Sequence, residues 1–307
     1  MKIIFMGTSD FGSELLQNLI IDKDLELIAI YTKEPKIAGR GKKVTKSPIN
    51  KIALTHNIKT ITPKNFKSAD SIEEFNNFKA DLAIVVSYGL ILPQEILDAP
   101  KYGCINIHPS MLPRWRGAAP MQRTIMSNDR YSAMTIIHMN KDLDAGDIIH
   151  QEKIYIEEKE NFTTLSKKMS ELSLKLTKKT LTDFRNSNVK TVRQDDDLAT
   201  YANKIHKEEC RIDWHLPAQE IIQKIRGLHG NLGAFFTYEG EKFKIFDAKI
   251  IKNKKIIEAG VVIDKYFTIQ CQDYAIKPLI IQRNGKKSMS IKDLLLGFKP
   301  KIGAKLN

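Results

Sequence analysis

The chain has only three cysteines in 307 residues. Cys104, Cys210 and Cys271 are too few and too scattered for a disulfide framework or a zinc site, so no metal is expected and a reducing cytoplasm is the expected setting. No apolar run approaches the ~20 residues that a membrane span needs. The segment Met1-Lys-Ile-Ile-Phe-Met-Gly7 begins as a strand and leaves no room for a signal or transit peptide. Two nucleotide signatures are missing as well. Gly7-Thr-Ser-Asp-Phe-Gly12 lacks the middle glycine of a dinucleotide fingerprint, and no Gly-Lys-Ser/Thr follows for a P-loop. It reads as a tight structural turn.

Positive charge is in excess. The net charge is +13 and the pI is near 9.4. From Ala202 to Asn307 there are 20 Lys and Arg against 11 Asp and Glu, so nine of the thirteen net charges sit in the last third. A polyanionic partner fits that bias, because Lys/Arg contacts to phosphates release counterions. The length and the 42% hydrophobic content suit two globular domains, each with its own core.

The first half alternates strand and helix. Apolar runs at Lys2–Met6, Leu25–Tyr31, Leu82–Val86, Gly103–Ile107 and Ala133–His138 read as buried strands. Ser13–Ile20 carries a helical pattern, and Ser47 is placed to cap a helix that starts at Pro48. Phe162–Phe184 is a long helix with Leu165, Met169, Leu172 and Leu176 on one stripe. This alternation predicts an α/β domain with a doubly wound, parallel sheet over residues 1–184. Residues 185–203 are polar, include Asp195-Asp-Asp197 and read as a linker. Short apolar stretches split by turns then predict a small, mostly β domain over residues 204–307, in the form of a barrel.

Chemistry concentrates at Asn106-Ile-His108-Pro109-Ser110-Met-Leu112-Pro113. Strand alternation puts Asn106 and His108 on one face, roughly 6.6 Å apart at ~3.3 Å per residue. Pro109 then stops the strand. An amide and an imidazole at the carboxyl end of a sheet strand can stabilise an oxyanion and move a proton, which suggests acyl transfer. Cys104 shares that face but lies about 13 Å from His108 along the strand, too far for a nucleophile–base pair, and reads as core. Asp144, in Asp142-Leu-Asp144-Ala-Gly146-Asp147, is the carboxylate best placed to orient His108; Asp142 and Asp147 look solvated. That placement assumes the loop after Ala133–His138 converges with its neighbours, as loops of parallel strands do. Lys33–Lys46 holds six basic residues and one acid, and Arg40, Lys42 and Lys43 at its core suit a phosphate-gripping arm. Trp115, between Arg114 and Arg116, reads equally as a structural plug or a ligand wall.

These motifs resemble the methionyl-tRNA formyltransferases, within the folate-dependent formyltransferase family. The resemblance rests on Asn106-x-His108-x-Ser110-x-Leu112-Pro113, on Arg114-Trp-Arg-Gly-Ala-Ala-Pro120-x-Gln122-Arg123, on Leu143-Asp144-x-Gly146-Asp147 and on Lys207-Glu-Glu-x-Arg211-Ile-Asp-Trp214. It spans the whole chain. Two positions depart: the family usually carries glycine at Asp142 and a Pro/Trp-rich segment at His229-Gly-Asn-Leu232. The resemblance implies a Rossmann-like amino domain, mostly parallel, and a smaller OB-like barrel that binds tRNA. It implies 10-formyltetrahydrofolate as co-substrate and methionyl initiator tRNA as acceptor, with direct attack by the α-amino group through a tetrahedral intermediate. Catalysis is carried over onto Asn106, His108 and Asp144, with Asp144 setting the tautomer of His108. Folate contacts fall on Ser110, Met111, Leu112 and Pro113, with the pterin near Tyr88, Gly89, Leu90, Ile91 and Leu92. Contacts to tRNA fall on Arg40, Lys42, Lys43, Lys204 and Lys207. A monomer suffices.

Three other readings share parts of this pattern. A formyltransferase acting on a small amine would keep the triad but would not need the basic second domain. A formyltetrahydrofolate hydrolase would replace the amine by water. A non-catalytic RNA-binding protein on a degenerate enzyme fold would not need Asn106, His108 and Asp144.

Overall fold

Apolar strands with both faces covered form the centre of the first half. The computed structural model describes residues 1–38, 43–230, 232–252 and 257–306. In chain order its first elements are β1 (Lys2–Gly7), α1 (Ser13–Ile21), β2 (Glu26–Tyr31), β3 (Lys36–Ala38), β4 (Lys43–Thr45), α2 (Pro48–Thr55), β5 (Thr60–Ile61), α3 (Ala69–Asn76) and β6 (Leu82–Val86). Then come α4 (Gln94–Leu97), β7 (Cys104–His108), β8 (Arg116–Gly117), α5 (Pro120–Met126), β9 (Tyr131–His138), β10 (Ile148–Tyr155) and α6 (Phe162–Arg185). The last are β11 (Tyr201–Ala202), α7 (Ala218–Gly227), β12 (Ala234–Tyr238), β13 (Glu241–Ile251), β14 (Ile269–Gln270), β15 (Ala275–Arg283), β16 (Met289–Ser290) and α8 (Ile291–Gly297). The chain divides into two units. One comprises residues 1–120, 131–155 and 166–202, the other 121–130, 156–165 and 203–307.

The first unit is built on a seven-stranded sheet in the order β10-β9-β7-β6-β1-β2-β5. The five strands from β7 to β5 are parallel, as their uninterrupted apolar sequences require: Ile3–Met6 and Leu82–Ile84 are fully buried. The Ser47 hydroxyl caps α2 by accepting from the Asn50 N–H at 3.0 Å. Gly7 ends β1 where a side chain would not fit: an added Cβ would lie 2.7 Å from the Phe5 ring and 3.1 Å from the Val86 carbonyl. The turn is structural, as its spacing predicts.

The sheet is mostly parallel, as the resemblance implies, and at its other side the strand direction reverses. β9 runs antiparallel to β7, and β10 antiparallel to β9. The loop that closes β9 therefore does not leave from the same end as the parallel strands. β10 lies at the sheet edge and alternates partly buried with exposed residues from His150 on, so Ile148–Tyr155 offers no continuous apolar run and is visible only in the structure. The polar residues 185–202 also lie within the first unit: Val192 pairs with Ile148, and β11 pairs with β8.

The second unit is an antiparallel half-barrel sheet, β12-β13-β15-β14 with β16 on β15. It closes over an aromatic core. Phe236 stacks on Phe243 with centroids 5.5 Å apart, and Tyr238, Phe267 and Phe298 meet the same ring edge-on or tilted at 5.6–6.2 Å. Trp214 is buried against Phe236. Arg123 and Glu209 form an ion pair inside this unit, joining two of the sequence motifs. At the departing segment, His229 bonds the Thr163 hydroxyl at 2.8 Å, and burial lowers its pKa. Phe243→Ala removes the ring on which the aromatic core converges. Urea unfolding is expected to show a loss of about 3–5 kcal/mol in the stability of this unit.

Candidate active site

β7 delivers Asn106 and His108 beside one carboxylate. The Asn106 amide donates from Nδ2 to Asp144 Oδ1 at 2.8 Å. The Gly117 backbone N–H donates to Asp144 Oδ2 at 2.7 Å, and His108 Nδ1 lies 3.5 Å from the same oxygen. Both ionisable side chains are mostly enclosed, at 5% exposure for His108 and 11% for Asp144. Asp142 and Asp147 are exposed, as expected. Low exposure strengthens every electrostatic term among the three groups.

The other ring nitrogen of His108 decides the tautomer. Nε2 lies 2.9 Å from the Trp115 carbonyl oxygen, which can only accept, so Nε2 carries a proton. Neutral His108 then has its lone pair on Nδ1, facing Asp144. The expectation that Asp144 sets the tautomer is corrected: the Trp115 carbonyl, an obligate acceptor, sets it. Trp115 holds this position in the left-handed region, at φ 66°, with its N–H bonded to the Thr200 hydroxyl at 3.0 Å and its ring beneath the Arg114 guanidinium at 4.4 Å. Of the two readings of Trp115, the backbone supports the structural one.

Asp144 reaches β7 by a route different from the expected convergence of parallel loops. Its loop folds back from the antiparallel β9, and Asp144 itself has φ 50°. Two devices hold it. Gly146 passes so close to β9 that an added Cβ would lie 1.8 Å from the His138 carbonyl oxygen. Gln194, buried at 5% exposure, donates from Nε2 to the carbonyls of Asp144 and Gly146 at 2.8 and 2.7 Å. Its Oε1 accepts from Arg116 Nε and an Arg116 terminal nitrogen at 3.2 and 3.0 Å, and Arg116 also pairs with Asp196. Gln194 and Thr200 carry no signature in the sequence, where their stretch reads as polar and aperiodic. A cavity of about 590 Å³ opens on the outer side of the loop, lined by Asn140, Leu143, Ala145, Arg193, Gln194 and Tyr201 among others.

An amide donor, an imidazole with a free lone pair and a carboxylate at one point fit transfer at a carbonyl. Comparison with known proteins agrees. The family model described as formyl transferase matches residues 1–181, and the one described as formyl transferase, C-terminal domain, matches residues 204–299. The chain belongs to the formyl transferase family.

Among relatives, this formyl transferase chain is similar to methionyl-tRNA formyltransferase of Ehrlichia canis (strain Jake), with 41% identity over 97% of both chains. It is 39% identical to that of Rickettsia africae (strain ESF-5), again over 97% of each. Solved structures share the fold at lower identity. An N-formyltransferase from Helicobacter canadensis superposes with a TM-score of 0.66 at 18% identity, covering 92% of this chain and 99% of its own. HypX from Aquifex aeolicus gives 0.64 at 16%, covering 100% of this chain and 50% of its own.

The remaining expected residues separate into groups. Ser110 is fully buried and donates its hydroxyl to the Arg114 carbonyl at 2.7 Å, so its side chain braces the loop. Leu112 is buried, whereas Met111 and Pro113 are half-buried. The Tyr88 ring packs into the cluster of Tyr31, Phe66 and Phe75, and burial raises its pKa, so its side chain is core. Gly89, at φ 74°, turns the chain so that Leu90 packs on that cluster while Ile91 is 90% exposed; Leu92 is buried. Cys104 is also core, with its thiol pushed up to about 12 by burial. Arg40 and Lys42 lie outside the described residues, and Lys43 starts β4 with its side chain outside them too. Lys204 and Lys207 are exposed in the second unit. Gly146→Ala forces a methyl group into the His138 carbonyl. It is expected to lower stability by about 3 kcal/mol in thermal denaturation.

Proposed function

We propose that the chain transfers a formyl group from 10-formyltetrahydrofolate to the α-amino group of methionyl initiator tRNA. One observation carries this reading: Asn106, Gly117 and His108 converge on the Asp144 carboxylate in a chain 41% identical, over 97% of its length, to a methionyl-tRNA formyltransferase. The concentration of positive charge after Ala202 supports a polyanionic acceptor over a small amine.

The folate supplies an activated formyl carbonyl. An α-amino group has pKa ~7.7–8.0, so a large fraction is neutral at cytoplasmic pH and attacks directly, without an enzyme-bound acyl group. Asn106 holds one N–H on Asp144. An amide nitrogen has two, so the other is available to the oxygen that becomes negative as the formyl carbon turns tetrahedral. His108 accepts the ammonium proton on Nδ1, the nitrogen left free by the bond to Trp115. The resulting imidazolium faces the Asp144 carboxylate, 3.5 Å from Nδ1. The proton then passes to the departing folate nitrogen.

Folate lies against Ser110–Pro113, where Met111 and Pro113 supply side-chain surface, and its pterin against the backbone of Tyr88–Leu92 with the exposed Ile91 beside it. Arg40, Lys42, Lys43, Lys204 and Lys207 contact tRNA phosphates. The protein acts as a cytoplasmic monomer.

A formyl-transfer assay with charged initiator tRNA tests the reading, with formyl-methionyl-tRNA and free formate measured together. Transfer predominates if the proposal holds; formate alone identifies a hydrolase. Asn106→Ala is expected to lower kcat by about 10²–10³-fold with KM for both substrates little changed. A raised KM with unchanged kcat refutes the oxyanion role. Binding of tRNA is expected to weaken as salt rises, and Arg40→Ala to reduce the slope of log affinity against log salt by about one. An unchanged slope removes Arg40 from the phosphate contacts.

A further inference from the structure

We infer that Gln194 is a positioning residue for the catalytic carboxylate, holding Asp144 at the reactive nitrogen of His108 from outside the active site. The inference rests on the formyl-transfer reading of that site. Gln194 acts on the backbone that carries Asp144, through the Asp144 and Gly146 carbonyls.

Every polar direction of its amide is engaged. Both N–H groups donate, one to the Asp144 carbonyl and one to the Gly146 carbonyl, at 2.8 and 2.7 Å. The amide oxygen accepts twice from Arg116, at 3.2 and 3.0 Å. The orientation is dictated by its partners, because a guanidinium only donates and backbone carbonyls only accept. A flipped amide would set like against like on both sides. Arg116 is itself 4% exposed, and its second partner, Asp196, closes the chain.

The two ends of this chain hold two sides of the triad. One end fixes the residue at φ 50° whose carboxylate meets Asn106, His108 and the Gly117 N–H. The other fixes Arg116, which lies between Trp115, the acceptor for His108 Nε2, and Gly117, the donor to Asp144 Oδ2. The backbone of this segment is tied to the same strap: the Arg116 N–H donates to the Thr200 carbonyl at 2.8 Å, and the Ala118 N–H to the Ala202 carbonyl at 2.9 Å. One buried amide therefore links the loop that carries the carboxylate to the loop that fixes the imidazole tautomer. Displacement of a reacting group by about 1 Å can cost 10²-fold in rate.

A double-mutant cycle tests this. Gln194→Met keeps the length and removes every hydrogen bond; Gln194→Glu keeps the acceptors for Arg116 and removes both donors. Each is made alone and with Asp144→Asn, and single-turnover formyl transfer is measured beside thermal unfolding. Both single variants are expected to lower kcat by about 10²-fold, with KM for folate and tRNA within two-fold of wild type. In the Asp144→Asn background the further loss is expected to shrink to two-fold or less, because no carboxylate remains to be positioned. Equal losses in the two backgrounds, or an unchanged kcat, overturn the proposal. So does failure of both Gln194 variants to fold, which assigns the residue to stability alone. Absence of formyl transfer by the wild type instead overturns the functional reading on which the proposal rests.

Discussion

One carboxylate organises the candidate site. Asp144 offers one oxygen to the Asn106 amide and the other to the Gly117 N–H, and that second oxygen also faces His108 Nδ1. A buried anion is tolerable only when its lone pairs are engaged, and here backbone and side-chain donors engage both oxygens. The same bonds fix the geometry. Asn106 is held through one of its two amide N–H groups. His108 is held between the Trp115 carbonyl, which accepts a hydrogen bond from Nε2, and the Asp144 carboxylate, 3.5 Å from Nδ1.

The scaffold exists to bring Asp144 to that point. β7 carries Asn106 and His108 because its apolar neighbours force it into the parallel core of the sheet. Asp144 comes from the opposite direction, on a loop that leaves an antiparallel strand and needs Gly146 to pass the His138 carbonyl. Such a loop has little regular structure of its own. It is secured by Gln194, from a stretch with neither apolar periodicity nor a helical pattern. The second unit follows a different economy, with a half-barrel closed on aromatic rings and a surface rich in lysine.

Much of this could be read from the residues, and the failures have physical causes. The parallel strands are legible because strands buried on both faces are written as unbroken apolar runs. β10 is not, because an edge strand with one wet face carries His150, Gln151, Glu152 and Lys153 among its apolar residues. Asn106 and His108 are legible from strand alternation alone. Asp144 is legible from the residues only on a premise the fold does not obey: convergence of parallel loops does not apply to the antiparallel β9, and the fold-back that does apply has no sequence signal beyond Gly146. Tyr88 illustrates the opposite limit. Its position in the chain suits a ligand loop, but its ring fits the aromatic core, and only packing decides which way it turns. The bond that sets the His108 tautomer was invisible because it ends on a backbone carbonyl, to which residue identity gives no clue.

Proton transfer at His108 requires one ring nitrogen without a proton, and ¹⁵N NMR of the labelled imidazole shows directly which one it is. The bond to the Trp115 carbonyl predicts, for neutral His108, a protonated Nε2 and an unprotonated Nδ1, with the Nδ1 resonance moving when Asp144 is changed to Asn. A neutral ring protonated at Nδ1 would place the lone pair against the Trp115 carbonyl and contradict that prediction.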